Sequence, residues 1–109
     1  MHEKARSFLW HRGIQTFSDI IQFVHIPTDS SWIRDWGQIF VRVPGMLPRT
    51  WITDWGFNGW GEEYPPWEKD DAAPTKIAKM LKVPCIEIRD VVLSAGAIDV
   101  NGEGTLLTM

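Results

Sequence analysis

The stretch Arg49–Trp55, RTWITDW, alternates bulky apolar and polar residues with period two, which predicts a strand. Beyond a long connection, the residues Asp71–Lys82, DAAPTKIAKMLK, change to helical spacing. Ala73, Ile77, Met80 and Leu81 share one face, while Lys76, Lys79 and Lys82 point elsewhere. Asp70 and Asp71 suit the positive end of that helix, Lys79 and Lys82 its negative end. Pro74 fits only in the first turn, where a missing N–H is no loss. After Pro84, CIEIRD (85–90) reads as another strand. Strand, helix, strand in succession points to a mixed α/β sheet.

Working outward, Ala5, Phe8 and Leu9 stand at helical spacing, with Gly13 placed to stop an N-terminal amphipathic helix. IIQFVHI, Ile20–Ile26, is β-branched and aromatic and predicts a buried strand ended by Pro27. QIFVRV, Gln38–Val43, predicts another strand, and VPGMLP (43–48) a turn, since two prolines and a glycine cannot continue a ladder. GFNGWGEEYPPWEKDD (56–71) is a long connection of the kind that is more often functional or mobile. AGAIDV and TLLTM flank NGEG (101–104), a hairpin signal because Asn-Gly accepts the positive φ of a tight turn. Only one clear crossover helix follows the first strand, which argues against a continuous doubly wound sheet.

Composition excludes several classes. The chain has 109 residues, the size of one domain, with 44% hydrophobic and 23% charged residues, as in soluble globular chains. No apolar run is long enough to span a bilayer, and MHEKARSFLWHRG lacks the apolar core of a secretory signal. The single cysteine, Cys85, rules out an internal disulfide and suits a reducing cytoplasm. A formal charge of −3 and the lack of a basic block argue against a nucleic-acid surface. Tryptophan is the outlier: of seven, Trp32, Trp36, Trp51, Trp55 and Trp60 fall between residues 32 and 60. They form either a loop-rich core or an aromatic-walled pocket for a cation or planar ligand.

DSSWIRDWG, Asp29–Gly37, brings that choice to particular residues. A carboxylate meets a planar guanidinium with two parallel hydrogen bonds, and an indole face adds cation–π attraction. Asp35 and Trp32 supply both within three residues. Against this, Asp35 has Arg34 beside it as an ion-pair partner, and Asp29 or Asp35 suits a loop cap. Asp54 reads as a second carboxylate of such a pair or as a cap for the next turn. Glu62, Glu63, Glu68, Asp70 and Asp71 read as a solvated acidic face, with no histidine nearby in sequence to complete a metal site. His2, His11 and His25 are scattered, and His25 reads as a satisfied sheet residue. Cys85, between Pro84 and Ile86, reads as a small buried residue. The glycines of GFNGWG do not follow a phosphate-binding spacing.

Three ordered stretches, IPTDSSWIRDWGQIFV (26–41), DWGFNGWGEEYPPWEKDD (54–71) and VLSAGAIDVNGEGTLLT (92–108), together resemble the agmatine deiminase family. That family includes the bacterial-type peptidylarginine deiminases and belongs to the guanidino-group-modifying pentein superfamily. The resemblance runs from about Phe23 to the C-terminus, and FNGWG is closer to the agmatine branch than to the peptidylarginine one. It implies a five-bladed α/β propeller, of which this chain supplies about two ββαβ-type modules as a single truncated domain, 1–109. The implied reaction is hydrolysis of agmatine to N-carbamoylputrescine and ammonia, through cysteine attack on a guanidinium held by carboxylates. By position, Trp32 and Asp35 match the W-x-R-D substrate-binding motif.

The chain also departs from the family pattern. Ser94-Ala95-Gly96 stands where Glu-Gly-Gly is usual, and the family's His-x-Asp segment and late nucleophilic cysteine have no counterpart. Cys85 does not align with the nucleophile. The expectation is a deiminase-like chain in the cytoplasm with no catalytic residues, no metal and no cofactor, and no turnover alone. The alternatives are a non-catalytic guanidinium- or amine-binding module, a self-assembling module with open sheet edges, or one piece of a split deiminase.

Overall fold

Strand β2, Thr50–Gly56, is the middle of a three-stranded sheet. It pairs antiparallel with β1, Ile39–Arg42, and parallel with β3, Cys85–Val92. A computed structural model of the chain describes residues 2–14 and 21–109. The antiparallel pair is closed through the proline-rich turn, where Val43 N donates to Arg49 O at 2.8 Å. The parallel pair needs a crossover, which helix α5, Ala73–Leu81, provides. The fold class is therefore mixed α/β, as the alternating patterns predict.

Helix α5 lies on β2 and closes the core. Ile52, fully buried at the centre of the sheet, packs with Ile77 and Ala78, and Val83 and Cys85 border them. Burying a side chain of this size contributes about 1.5–3 kcal/mol. Pro74 sits in the first turn, as its chemistry requires. The buried face differs from the predicted one: Met80 and Leu81 are exposed, and Pro74 and Ala78 take their place beside Ala73 and Ile77. Lys82 then ends the helix in a left-handed conformation at φ 54°.

A second cluster, Trp36, Phe57 and Ala73, is bordered by Ile26 and Trp67. Ile26 packs against both clusters. Among the described residues of the segment predicted as a buried strand, Ile26 alone is placed in these clusters, and no strand forms there. Residues 21–26 form neither helix nor strand, and Ile20 lies outside the described residues. Helix α1, His2–His11, forms as predicted and stops before Gly13 at φ 77°. Its Phe8 and Trp10 are exposed.

The predicted hairpin is present as β4, Ile98–Val100, and β5, Leu106–Thr108, paired antiparallel. Its loop is longer than a two-residue turn. The Asn101 carboxamide oxygen accepts from Glu103 N at 2.9 Å and Thr105 N at 3.1 Å. A 3₁₀ turn, Ala95–Ala97, precedes β4 and packs on helix α2, Ile33–Trp36. Among the described residues, no helix is long and apolar enough to cross a membrane.

Candidate functional site

Helix α2 is a single turn held from below by tryptophan. Trp36 is buried against Phe57 and Ala73, and its indole N–H donates to Ser30 Oγ at 2.9 Å. Gly37 N closes the turn on Ile33 O at 2.8 Å. With Trp36 anchored, Trp32 and Asp35, three residues apart, lie on a common side of the turn. Arg34 does not pair with Asp35; its guanidinium donates to Ile98 O at 3.0 Å and ties α2 to β4.

Two aspartates lock the preceding loop to helix α4, Glu68–Asp71. Asp70 accepts from Asp29 N at 2.6 Å and Ser30 N at 3.2 Å, while Asp29 accepts from Lys69 N at 2.9 Å. The Lys69 ammonium lies 3.2 Å from Asp29. The Lys69 backbone N–H holds the Asp29 carboxyl below its ordinary value; burial opposes this and the Lys69 side chain reinforces it. The acidic run is thus not simply a solvated face. Asp70 is 1% exposed, and Asp71 accepts from Phe57 N at 2.7 Å and from Arg89. Sequence distance hid the role of Asp70, since its partners lie 41 and 40 residues away.

The clamp brings α2 beside helix α3, Gly59–Glu62, whose turn winds the wrong way. Gly59, Trp60, Gly61 and Glu62 all have positive φ, at 62°, 60°, 81° and 67°. Glu62 N donates to Asn58 O at 2.7 Å, and Gly61 N to the Asn58 side chain at 2.9 Å. A left-handed conformation costs a non-glycine residue about 1–2 kcal/mol, so Trp60 and Glu62 are both strained. Gly59 must be glycine twice over: beyond its φ, a Cβ there would lie 2.6 Å from the Trp67 ring. The turn sets the Trp60 indole edge-on to Phe57, at 5.2 Å between ring centres, and to Tyr64, at 5.7 Å.

The result is an open cavity of about 490 Å³ lined by Trp32, Asp35, Trp60 and Tyr64. Three aromatic rings surround one carboxylate, the combination that attracts an organic cation. Both predicted site residues, Trp32 and Asp35, are brought to it. Trp60 was one of the five tryptophans read as core or pocket wall, whereas Tyr64 was not foreseen, though both lie in the long connection that the sequence marks as functional or mobile. A larger cleft, about 560 Å³, opens between β1 and the hairpin, but Ile33, Phe40, Ile98, Val100 and Leu106 make it mainly apolar. The smaller cavity is therefore the chemical candidate.

Asp54 takes neither predicted role. It is fully buried, accepting from Thr75 Oγ at 2.6 Å and from Arg89 at 3.0 Å, so its charge is spent inside the fold. Cys85 borders the Ile52 cluster but is only partly buried, not the buried residue predicted, and it does not line the cavity. Burial pushes its thiol above the ordinary range, and the charges of Asp54 and Glu87 add to this against Arg89. His25 is engaged, although not in a sheet. Among the described residues, no group of three or more His, Cys, Asp or Glu side chains is arranged to hold a metal.

Residues 1–109 match the family model described as Porphyromonas-type peptidyl-arginine deiminase. The agmatine deiminase of Pseudomonas aeruginosa (strain LESB58) is 39% identical over 97 residues, which cover 81% of this chain and 24% of that enzyme. A solved structure of the Enterococcus faecalis agmatine deiminase, described as catalyzing its reaction, superposes with a TM-score of 0.72 at 29% identity. It covers 96% of this chain and 28% of the other. A cysteine-to-serine variant of the C. jejuni agmatine deiminase, solved with substrate bound, gives 0.72 at 32% identity, over 94% of this chain and 29% of its own. The chain thus spans about a quarter of the length of the curated relatives it matches. On these grounds the chain belongs to the Porphyromonas-type peptidyl-arginine deiminase family.

Proposed function

We propose that the cavity of Trp32, Asp35, Trp60 and Tyr64 is one wall of a guanidinium site that serves the reaction its relatives are named for, without completing it alone. That reaction is hydrolysis of agmatine to N-carbamoylputrescine and ammonia. The observation that carries this reading is the convergence of one carboxylate and three aromatic rings on one cavity, next to a strained turn. Asp35 receives the cation through charge-assisted hydrogen bonds, and the rings stack on its flat faces. The chemistry needs a thiolate at the guanidinium carbon. Cys85 borders the core with a raised pKa and is not in the cavity, so in this reading the chain binds without turning over.

The order β1, β2, α5, β3 supports counting this unit as one ββαβ module of a pentein-like propeller, with the β4–β5 hairpin opening a second. We take residues 1–109 as one domain of that kind, acting in the cytoplasm. Calorimetric titration with agmatine, beside an Asp35→Asn variant, tests the binding role. The parent should bind and the variant should lose about tenfold or more in affinity. Parent heat that survives unchanged in the variant would remove Asp35 from the site. An assay for ureido product tests the rest, since turnover by this chain alone would contradict a binding-only role.

A second reading, of a chain completed by another polypeptide or by its own copies, is favoured by one feature. The apolar cleft beside β1 leaves Phe40, Val100 and Leu106 exposed. Light scattering decides it, because a monomer at high concentration counts against self-assembly.

A further inference from the structure

The Asp35 carboxylate is held from behind. Ser94 Oγ donates to its Oδ1 at 2.9 Å. Gly96 lies so close that a Cβ there would fall 2.3 Å from the same oxygen. Both residues belong to the turn before β4, which Ala97 N closes on Ser94 O at 2.9 Å and which packs on α2. Arg34, reaching Ile98 O, fixes that turn to the helix carrying Asp35. Neither Ser94 nor Gly96 lines the cavity, whereas Asp35 does. Among the described residues, Oδ1 has a hydrogen-bond donor and Oδ2 has none.

We propose that Ser94 and Gly96 are positioning residues that make this a one-oxygen cation site, accepting a primary ammonium about as well as a guanidinium. The inference rests on the cavity being a cation site. A guanidinium gains over an ammonium at a carboxylate by placing two parallel N–H bonds on two free, coplanar oxygens. Ser94 Oγ occupies one lone pair of Oδ1 and the Gly96 backbone closes on the same oxygen, which impairs the paired geometry and leaves Oδ2 as the main acceptor for either cation. The rings of Trp32, Trp60 and Tyr64 attract both, because the attraction needs positive charge rather than a fork of donors. The serine hydroxyl thereby sets specificity without touching the ligand.

The test titrates the full 109-residue chain with butylguanidinium and with butylammonium at one ionic strength, followed by calorimetry and tryptophan fluorescence. The two dissociation constants should agree within about threefold. Ser94→Ala frees Oδ1 and should shift the ratio toward the guanidinium by about tenfold, leaving the ammonium nearly unchanged. Gly96→Ala should weaken both cations, with far-ultraviolet circular dichroism confirming the fold. A guanidinium preference above about tenfold in the parent would overturn the inference and leave the guanidinium reading intact. So would a ratio that Ser94→Ala does not move. Binding of the ammonium alone, or of neither cation, would overturn both.

Discussion

Arg89 on β3 donates to Asp54 on β2 at 3.0 Å, pairing a half-exposed guanidinium with a carboxylate that solvent does not reach. The same arginine donates to Asp71 O at 2.9 Å and to the Asp71 carboxylate. Thr75 Oγ, on α5, supplies the other bond to Asp54 at 2.6 Å. Asp54 therefore ties β2 to the start of α5, and the Arg89 side chain ties the parallel strand pair to the end of α4. Removing that arginine strands a buried charge, and that penalty exceeds the net worth of the pair. Arg89→Ala should cost about 3 kcal/mol in urea denaturation, while Asp54→Asn, which keeps hydrogen-bonding capacity, should cost less. A loss below about 1 kcal/mol in Arg89→Ala would show that the bridge is incidental.

The Asp29–Lys69 contact predicts a dependence on pH whose sign follows from its cause. The Lys69 backbone N–H favours the ionised carboxylate, so the folded-state pKa of Asp29 lies below 3.8. A depressed carboxylate stabilises the fold fully above the unfolded-state value, and that contribution is lost as pH falls through the folded one. Parent and Asp29→Asn should therefore differ most near neutrality and converge by about pH 2 in thermal melts. A gap that stays constant over that range would separate the contact from the ionisation of Asp29.

Local chemistry made much of the fold readable. Alternation marked β2, Pro74 and the lysines marked α5, and Asn-Gly marked the hairpin, and each is present. Residues 21–26 show where such reading stops. β-Branched composition describes a side chain's fit to a pleated surface, and a strand also needs a partner edge. That segment instead meets the core through Ile26. In the site, Trp32 and Asp35 were legible because three residues carry both chemistries. Trp60 was legible only as one of five candidate tryptophans and Tyr64 not at all, since their approach depends on the Asp29–Asp70 clamp and on a left-handed turn that no propensity predicts. Asp54 and Asp35 look alike in sequence, each beside a tryptophan and a glycine, and only burial separates them.

Cys85 should be a slow nucleophile. Burial is the main reason its thiol is shifted upward, and the neighbouring Asp54 and Glu87 charges disfavour the thiolate further. At pH 8, alkylation by iodoacetamide should run about tenfold slower than for an unstructured cysteine peptide, and it should reach the peptide's rate once urea unfolds the chain. Cys85→Ser should leave agmatine titrations unchanged, because the residue does not line the cavity. Fast labelling of the folded chain would contradict its placement beside the core.

The left-handed turn offers the sharpest separation of stability from binding. Glu62, at φ 67°, carries the strain of an L-residue in that conformation and is not among the residues lining the cavity. Glu62→Gly removes about 1–2 kcal/mol of steric cost and adds about 0.5–1 kcal/mol of backbone entropy, for a net gain of about 0.5–1 kcal/mol. Trp60→Gly relieves the same strain two residues earlier but deletes a wall of the cavity. In urea denaturation Glu62→Gly should be more stable than the parent, with its agmatine affinity within about twofold. Trp60→Gly should lose binding whatever happens to its stability. If Glu62→Gly proves less stable instead, the glutamate makes a compensating contact and the turn stores no strain at that position.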